Sequence, residues 1–171
     1  LFLTAHALAE PFTDFPGYTQ IAKIHHAAQT EVKVPQAAKP NPWAKGEGGR
    51  EIIVEAALGL QFVQKKLTAK PGEKLSLIFK NPDVVPHNWI LAQPGSLEKL
   101  GALCNLMITD PKGLEKHYVP DSPDVLVYTD MTHPKDSFTI HFTAPEKPGT
   151  YPYLCTFPGH WMIMNGQFIV E

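Results

Sequence analysis

The stretch Ser137-Phe138-Thr139-Ile140-His141-Phe142 sets an apolar side chain at every second position. That period belongs to a strand with one face buried and the other wet. Outward from it, short runs rich in Ile, Val, Leu, Phe and Tyr recur from Arg50 to the C-terminus, separated by turn residues. They predict strands over 51–57, 60–67, 74–81, 87–92, 125–130, 137–143, 150–155 and 166–171. Pro71-Gly72, Pro94-Gly95 and Pro148-Gly149 supply turns, since proline presets φ and glycine accepts positive φ. So many short strands make an all-β Greek-key sandwich the natural architecture. One segment departs from the pattern. Ser96 is placed to cap a helix whose Leu97, Leu100, Cys104, Met107 and Ile108 share a face, so a helical insertion is expected around 96–110, between the fourth and fifth strands.

Composition agrees. Of 171 residues, 43% are apolar and 19% charged, with a formal net charge of −2, the profile of a globular domain. Neither a nucleic-acid-binding tail nor a polybasic anchor is expected, because no long block of like charge occurs. No stretch approaches the roughly 18 consecutive apolar residues of a spanning helix. The 17 prolines are about twice the usual share and favour turns and sheet edges over helices. Two cysteines exclude a disulfide-stapled miniprotein.

Residues 1–49 lack the alternation. Tyr18 to Thr30 is expected to form a short helix with Ile21, Ile24 and Ala28 on one side. Pro35, Pro40, Pro42, Gly46, Gly48 and Gly49 then mark an extended linker. The reading is an N-terminal arm over 1–49 leading into a domain over 50–171. Ala7-Leu8-Ala9 has the small-residue pattern of an export-signal end, but the apolar run is short and lacks a basic flank. With Leu1 in place of an initiator methionine, a cut from a larger fused polypeptide is the expectation. The alternative is an arm that wraps the sandwich, covering an edge strand or pairing with a second copy.

Chemistry concentrates in Cys155-Thr156-Phe157-Pro158-Gly159-His160-Trp161-Met162-Ile163-Met164, between the last two predicted strands. The spacing is C-x4-H-x3-M, and Pro158-Gly159 makes a tight turn able to fold the ligands around one point. One thiolate, one imidazole and one thioether on a single loop select copper. A second imidazole must come from elsewhere. His87 is best placed, because it opens a predicted strand and strand ends of a sandwich converge at one pole. The result is a His2Cys plane with a weak axial methionine. Zinc accepts similar ligands and is the main competing ion.

On Cys155-Thr156-Phe157-Pro158-Gly159-His160, Met164 and His87-Asn88-Trp89, residues 51–171 resemble the cupredoxins, specifically the azurin and auracyanin group; Lys116-His117-Tyr118-Val119-Pro120 also looks azurin-like. The resemblance implies one type 1 copper with His87, Cys155 and His160 equatorial and Met164 axial. It implies a weak backbone-carbonyl approach from Pro86, where the family usually has glycine. It also implies hydrogen bonds from Asn88 that tie the two ligand-bearing loops together around Cys155 and Thr156. The disulfide typical of azurins has no counterpart. All coordination positions being filled from within, such a site carries single electrons and offers no place for a substrate. The chain is therefore expected not to be an enzyme. Electron exit is expected through His160 and an apolar docking patch of Pro158, Trp161 and Met162, suited to brief encounters. The partner would be a redox protein such as a c-type cytochrome, or a fused redox domain. The family generally works outside the cytoplasm, as in the bacterial periplasm.

Other residues carry blander readings. Cys104 is expected to be a buried, inert thiol. His25-His26 point in different directions on a helix and lack a spaced partner; His6, His117 and His133 read as surface polar residues, His141 as an outward strand residue, and Trp89 as a core aromatic. Among rival functions, an electron-relay module of a larger oxidoreductase is the strongest, its catalytic part lying outside this chain. Copper delivery is disfavoured because a rigid, fully liganded site releases metal slowly. A dinuclear copper site would need a second cysteine on the loop.

Overall fold

The computed structural model describes residues 41–171. The expected helix over 18–30 and the histidines at 6, 25 and 26 lie outside the described residues. Among the described residues nine strands occur: β1 Arg50–Ala57, β2 Gln61–Phe62, β3 Lys66–Ala69, β4 Lys74–Asn81, β5 Ile90–Ala92, β6 Val125–Tyr128, β7 Asp136–Thr143, β8 Gly149–Leu154 and β9 Asn165–Val170, with helix α1 over Leu97–Leu106. They form two sheets, ordered β2-β1-β4-β7 and β3-β9-β8-β5-β6. β1 runs parallel to β4 and β3 parallel to β9, while β4–β7, β5–β8 and β8–β9 are antiparallel. Among the described residues, the expected all-β sandwich with one α-helix is what forms.

In β7, Ile140 and Phe142 are buried, while Ser137, Thr139 and Thr143 stay exposed. Leu77 of β4 sits opposite Ile140 in the ladder, and both are fully buried, as are Val54, Phe79, Tyr153 and Phe168. Burying each such side chain contributes about 1.5–3 kcal/mol. Trp89 lies among them, its ring 5.7 Å from Tyr153 and 6.2 Å from Phe142, as expected of a core aromatic.

Three expectations need correction. The single strand read over 60–67 is two, β2 and β3. The chain bends at Val63–Lys65, so that β2 pairs with β1 in one sheet and β3 with β9 in the other; continuous propensity cannot signal a change of sheet. The strand read from His87 begins at Ile90. Before it, His87 makes only an isolated bridge to Thr132, and the Trp89 amide donates to the Thr129 hydroxyl. The α1 face is shorter than its periodicity implies. Leu100, Cys104 and Met107 are buried but Ile108 is 58% exposed, because the helix tightens to a 3-10 turn over Met107–Thr109 and the register slips. The Ser96 hydroxyl donates to Gln93 O instead of capping the helix, and the Ser96 carbonyl accepts from the Leu100 amide.

Residues 41–49 run against the sandwich. Asn41 donates to Tyr128 O and Asp130 Oδ1, Trp43 packs edge-on against Tyr128 at 4.8 Å, and the His141 amide donates to Trp43 O. A Cβ at Gly46 would come within 2.6 Å of the His141 side chain.

Candidate metal centre

β8 and β5 are neighbours, paired through Ile90 and Leu154. Cys155 follows the end of β8, and the segment holding His87 and Asn88 leads into β5. Two chain segments 68 residues apart are thereby brought to one end of the five-stranded sheet. The loop from Cys155 to Met164 closes on itself. The His160 amide donates to Phe157 O, the Ile163 and Met164 amides donate to His160 O, and the Cys155 amide donates to Met164 O at 2.9 Å. Gly159 holds φ at +83°, with open space where a Cβ would project. Glycine is favoured there for backbone conformation alone.

His87 and Cys155 are fully buried and His160 is nearly so. Their donor atoms lie within 4.8 Å of one another. His87 Nδ1 is 3.7 Å and His160 Nδ1 3.6 Å from Cys155 Sγ, and the two Nδ1 atoms are 3.1 Å apart. An ion bonded at about 2.0–2.1 Å to nitrogen and about 2.3 Å to sulfur, with the donors in a trigonal plane, needs N···S near 3.8 Å and N···N near 3.6 Å. The N···S distances match to about 0.2 Å and the N···N distance is about half an ångström short. The cradle holds two imidazole lone pairs and one thiol, a soft donor set that suits copper. Met164 is fully buried and closes the loop through its hydrogen bonds to His160 and Cys155.

Without an ion, this burial resists charge. The Cys155 thiol is pushed up to about 12 by burial, against the pull of the Asn88 and Phe157 amides. His160 is pushed down to about 4 by burial and by the neighbouring His87. His87 is also lowered by burial, with Asp83 opposing. A divalent cation reverses these preferences, because it draws off the thiol proton and uses the neutral imidazoles.

Asn88 joins the two segments. Its Nδ2 donates to Thr156 Oγ1 at 2.8 Å and to His117 O at 2.9 Å, and its Oδ1 accepts from the Thr156 amide at 2.8 Å. Asn88→Ala severs all three bonds, and copper affinity is expected to fall about 10–100-fold. Competition with a chromophoric chelator measures this.

Sequence reasoning missed Asp83. Its Oδ2 lies 3.2 Å from His87 Nε2, its Oδ1 accepts from the Val84 amide, and it is 5% exposed. The available signal was a lone charge in Pro82-Asp83-Val84-Val85-Pro86, an otherwise apolar stretch four residues before a ligand candidate. His117, read as a surface residue, is partly buried; its Nδ1 accepts from the Met131 amide. His141 likewise contacts the Ser76 hydroxyl, at 3.0 Å. Cys104 is a buried free thiol pushed up to about 12, chiefly by burial. In the expected docking patch, Met162 is 62% exposed but Trp161 is buried. The Trp161 indole donates to Asn105 and sits where a Cβ on Gly101 would come within 2.4 Å of its ring, so it joins the loop to α1 instead of facing outward.

A two-sheet sandwich with a buried His2Cys cradle at one end defines a cupredoxin with one type 1 copper. The chain belongs to the plastocyanin/azurin family of copper-binding proteins, whose sequence model matches residues 51–171. It is 33% identical to auracyanin-A of Chloroflexus aurantiacus over 66% of this chain and 68% of the relative. To azurin of Pseudomonas aeruginosa it is 32% identical over 52% of this chain and 59% of the relative. The solved structure of auracyanin A, a "blue" copper protein of C. aurantiacus, superposes with a TM-score of 0.65 at 30% identity, covering 72% of this chain and all of the other. Auracyanin B superposes with the same score at 31% identity, over 80% and 99% respectively.

Proposed function

We propose that this domain carries single electrons, its copper cycling between Cu(I) and Cu(II) with His87, Cys155 and His160 as equatorial ligands and Met164 as the weak axial one. The observation that carries the reading is the convergence of three donor atoms inside a fully packed end of the sandwich. Thiolate and thioether favour Cu(I), imidazole suits both states, and a cradle fixed at the end of the five-stranded sheet fits either without rearrangement. No ligand position is left for a substrate, so the domain is a carrier and not an enzyme. Asn88 and Thr156 hold the two ligand segments in place, and the Pro86 carbonyl is the candidate for a weak fifth contact. Electrons pass through the edge of His160, bordered by Pro158 and the exposed Met162 and Ile163. A c-type cytochrome or a fused redox domain outside the cytoplasm is the partner this surface suits. Among the described residues no helix is long and apolar enough to cross a membrane.

Loading the protein with Cu(II) tests the reading. An intense visible thiolate-to-copper band is expected at one copper per chain, bleached by one reducing equivalent and restored on reoxidation. A colourless Cu(II) protein overturns it.

A further inference from the structure

We propose that Asp83 is a positioning and redox-tuning residue of the copper centre: its carboxylate accepts the outer N–H of His87 and biases the metal toward Cu(II). The proposal rests on the electron-transfer reading above and extends it to a residue outside the ligand set.

His87 presents Nδ1 to Cys155 and His160, and Nε2 to Asp83 Oδ2 at 3.2 Å. With the Nδ1 lone pair directed at the metal, the ring proton sits on Nε2, and Asp83 is its acceptor. That bond selects the tautomer and the ring orientation together. Asp83 is itself held on both sides. The Val84 amide donates to Oδ1 at 2.6 Å, and the Asp83 amide donates to Asn81 Oδ1. Asn81 Nδ2 in turn donates to Val85 O and Thr132 O. Thr132 exchanges backbone hydrogen bonds with His87. The carboxylate, the ligand ring and their backbone supports thus form one buried network, and Asp83 cannot swing away without breaking it.

The charge count sets the direction. With a thiolate and an Asp83 carboxylate beside neutral imidazoles, the Cu(II) site is neutral and the Cu(I) site carries one negative charge. With the carboxylate removed, the oxidised site is positive and the reduced one neutral. In a buried site net charge is costly, so Asp83 favours the oxidised form. Lys135, a cation that acts on Asp83, donates to Pro82 O but is exposed, and water weakens its offset. Hydrogen bonding to an anion also makes the imidazole a stronger donor, which again favours Cu(II). On reduction one electron enters from the redox partner, Cu(II) becomes Cu(I), and no bond is made or broken.

Asp83→Asn keeps the shape and removes the charge, and its single acceptor oxygen can serve either the Val84 amide or the His87 Nε2–H but not both. Relative to the parent, its Cu(I):Cu(II) ratio at a fixed ambient potential is expected to rise at least tenfold, a shift of 59 mV for a one-electron couple, with the visible band retained. Asp83→Glu, which restores the charge, is expected to recover part of the shift. A blue Asp83→Asn protein with an unchanged or lower potential overturns the proposal and leaves the copper reading intact; a parent protein without the visible band overturns that reading instead. Should the variants fail to fold, 15N-resolved NMR of the parent Cu(I) protein decides. The His87 Nε2–H resonance is expected to be displaced downfield, as for a proton bonded to a carboxylate. A position no further downfield than that of His160 overturns the proposal.

Discussion

Cys155→Ser is expected to yield a folded protein with no intense visible band and a copper affinity lowered by several orders of magnitude. The band requires charge transfer from a thiolate, and a serine hydroxyl neither ionises at neutral pH nor offers a soft orbital to copper. The fold should tolerate the change. Cys155 is fully buried, and its sulfur contacts both His87 Nδ1 and His160 Nδ1. A hydroxyl in its place therefore has ring nitrogens as partners. Even a wholly unsatisfied hydroxyl costs about 1–3 kcal/mol, against about 5–15 kcal/mol of total stability for an ordinary domain. Visible absorption and copper EPR on the loaded variant read the site, while circular-dichroism melting of the metal-free forms reads the fold. A serine variant that stays intensely coloured contradicts Cys155 as the ligand, whatever its stability.

Legibility in the sequence divides along physical lines. β4 was readable to the residue, and β1, β7, β8 and β9 to within a residue or two, because their alternation records burial on one face of a sheet. The Cys155–Met164 loop was readable because its candidate donors are close in sequence and proline-glycine turns the chain between Cys155 and His160, which the fold brings together. His87 required an argument about strand ends meeting at one pole, and the β5–β8 pairing brings it there. What stayed hidden depends on contacts between distant segments. The change of sheet at Val63–Lys65 has no local signal. Trp161 looked like a surface residue beside His160, yet Gly101 on α1 leaves room for its ring, and nothing within the loop announces that. Asp83 escaped notice for a related reason. An isolated acidic residue in a proline-flanked loop has the composition of a solvated turn, and only its approach to His87 shows otherwise.

Copper affinity is expected to rise about tenfold for each pH unit across the neutral range, because binding expels one proton from Cys155. In the metal-free protein the thiol is held up at about 12 by burial, so it is protonated throughout that range. His160, pushed down to about 4, is already neutral and releases nothing, and burial lowers His87 in the same direction. Between about pH 6 and about pH 8 the affinity should therefore gain about a hundredfold, one proton per metal. Competition against a chelator corrected for its own protonation measures the slope, and calorimetry in two buffers of different ionisation enthalpy counts the proton. A flat profile would mean a thiolate already formed in the empty cradle, against the burial that surrounds it. The same depressed imidazole sets the acid stability of the metal-free fold. An unfolded chain takes up a proton on residue 160 near its ordinary value of 6.5, whereas the folded chain refuses it until about 4. Over that interval the unfolded state binds more protons, so stability falls as pH falls, by on the order of 3 kcal/mol, and the contribution levels off below about pH 4. Copper blocks the imidazole against protonation. Because copper affinity itself falls as pH falls, the stability that copper adds shrinks as pH drops, so denaturant midpoints of loaded and empty protein should converge and meet where protons displace the metal.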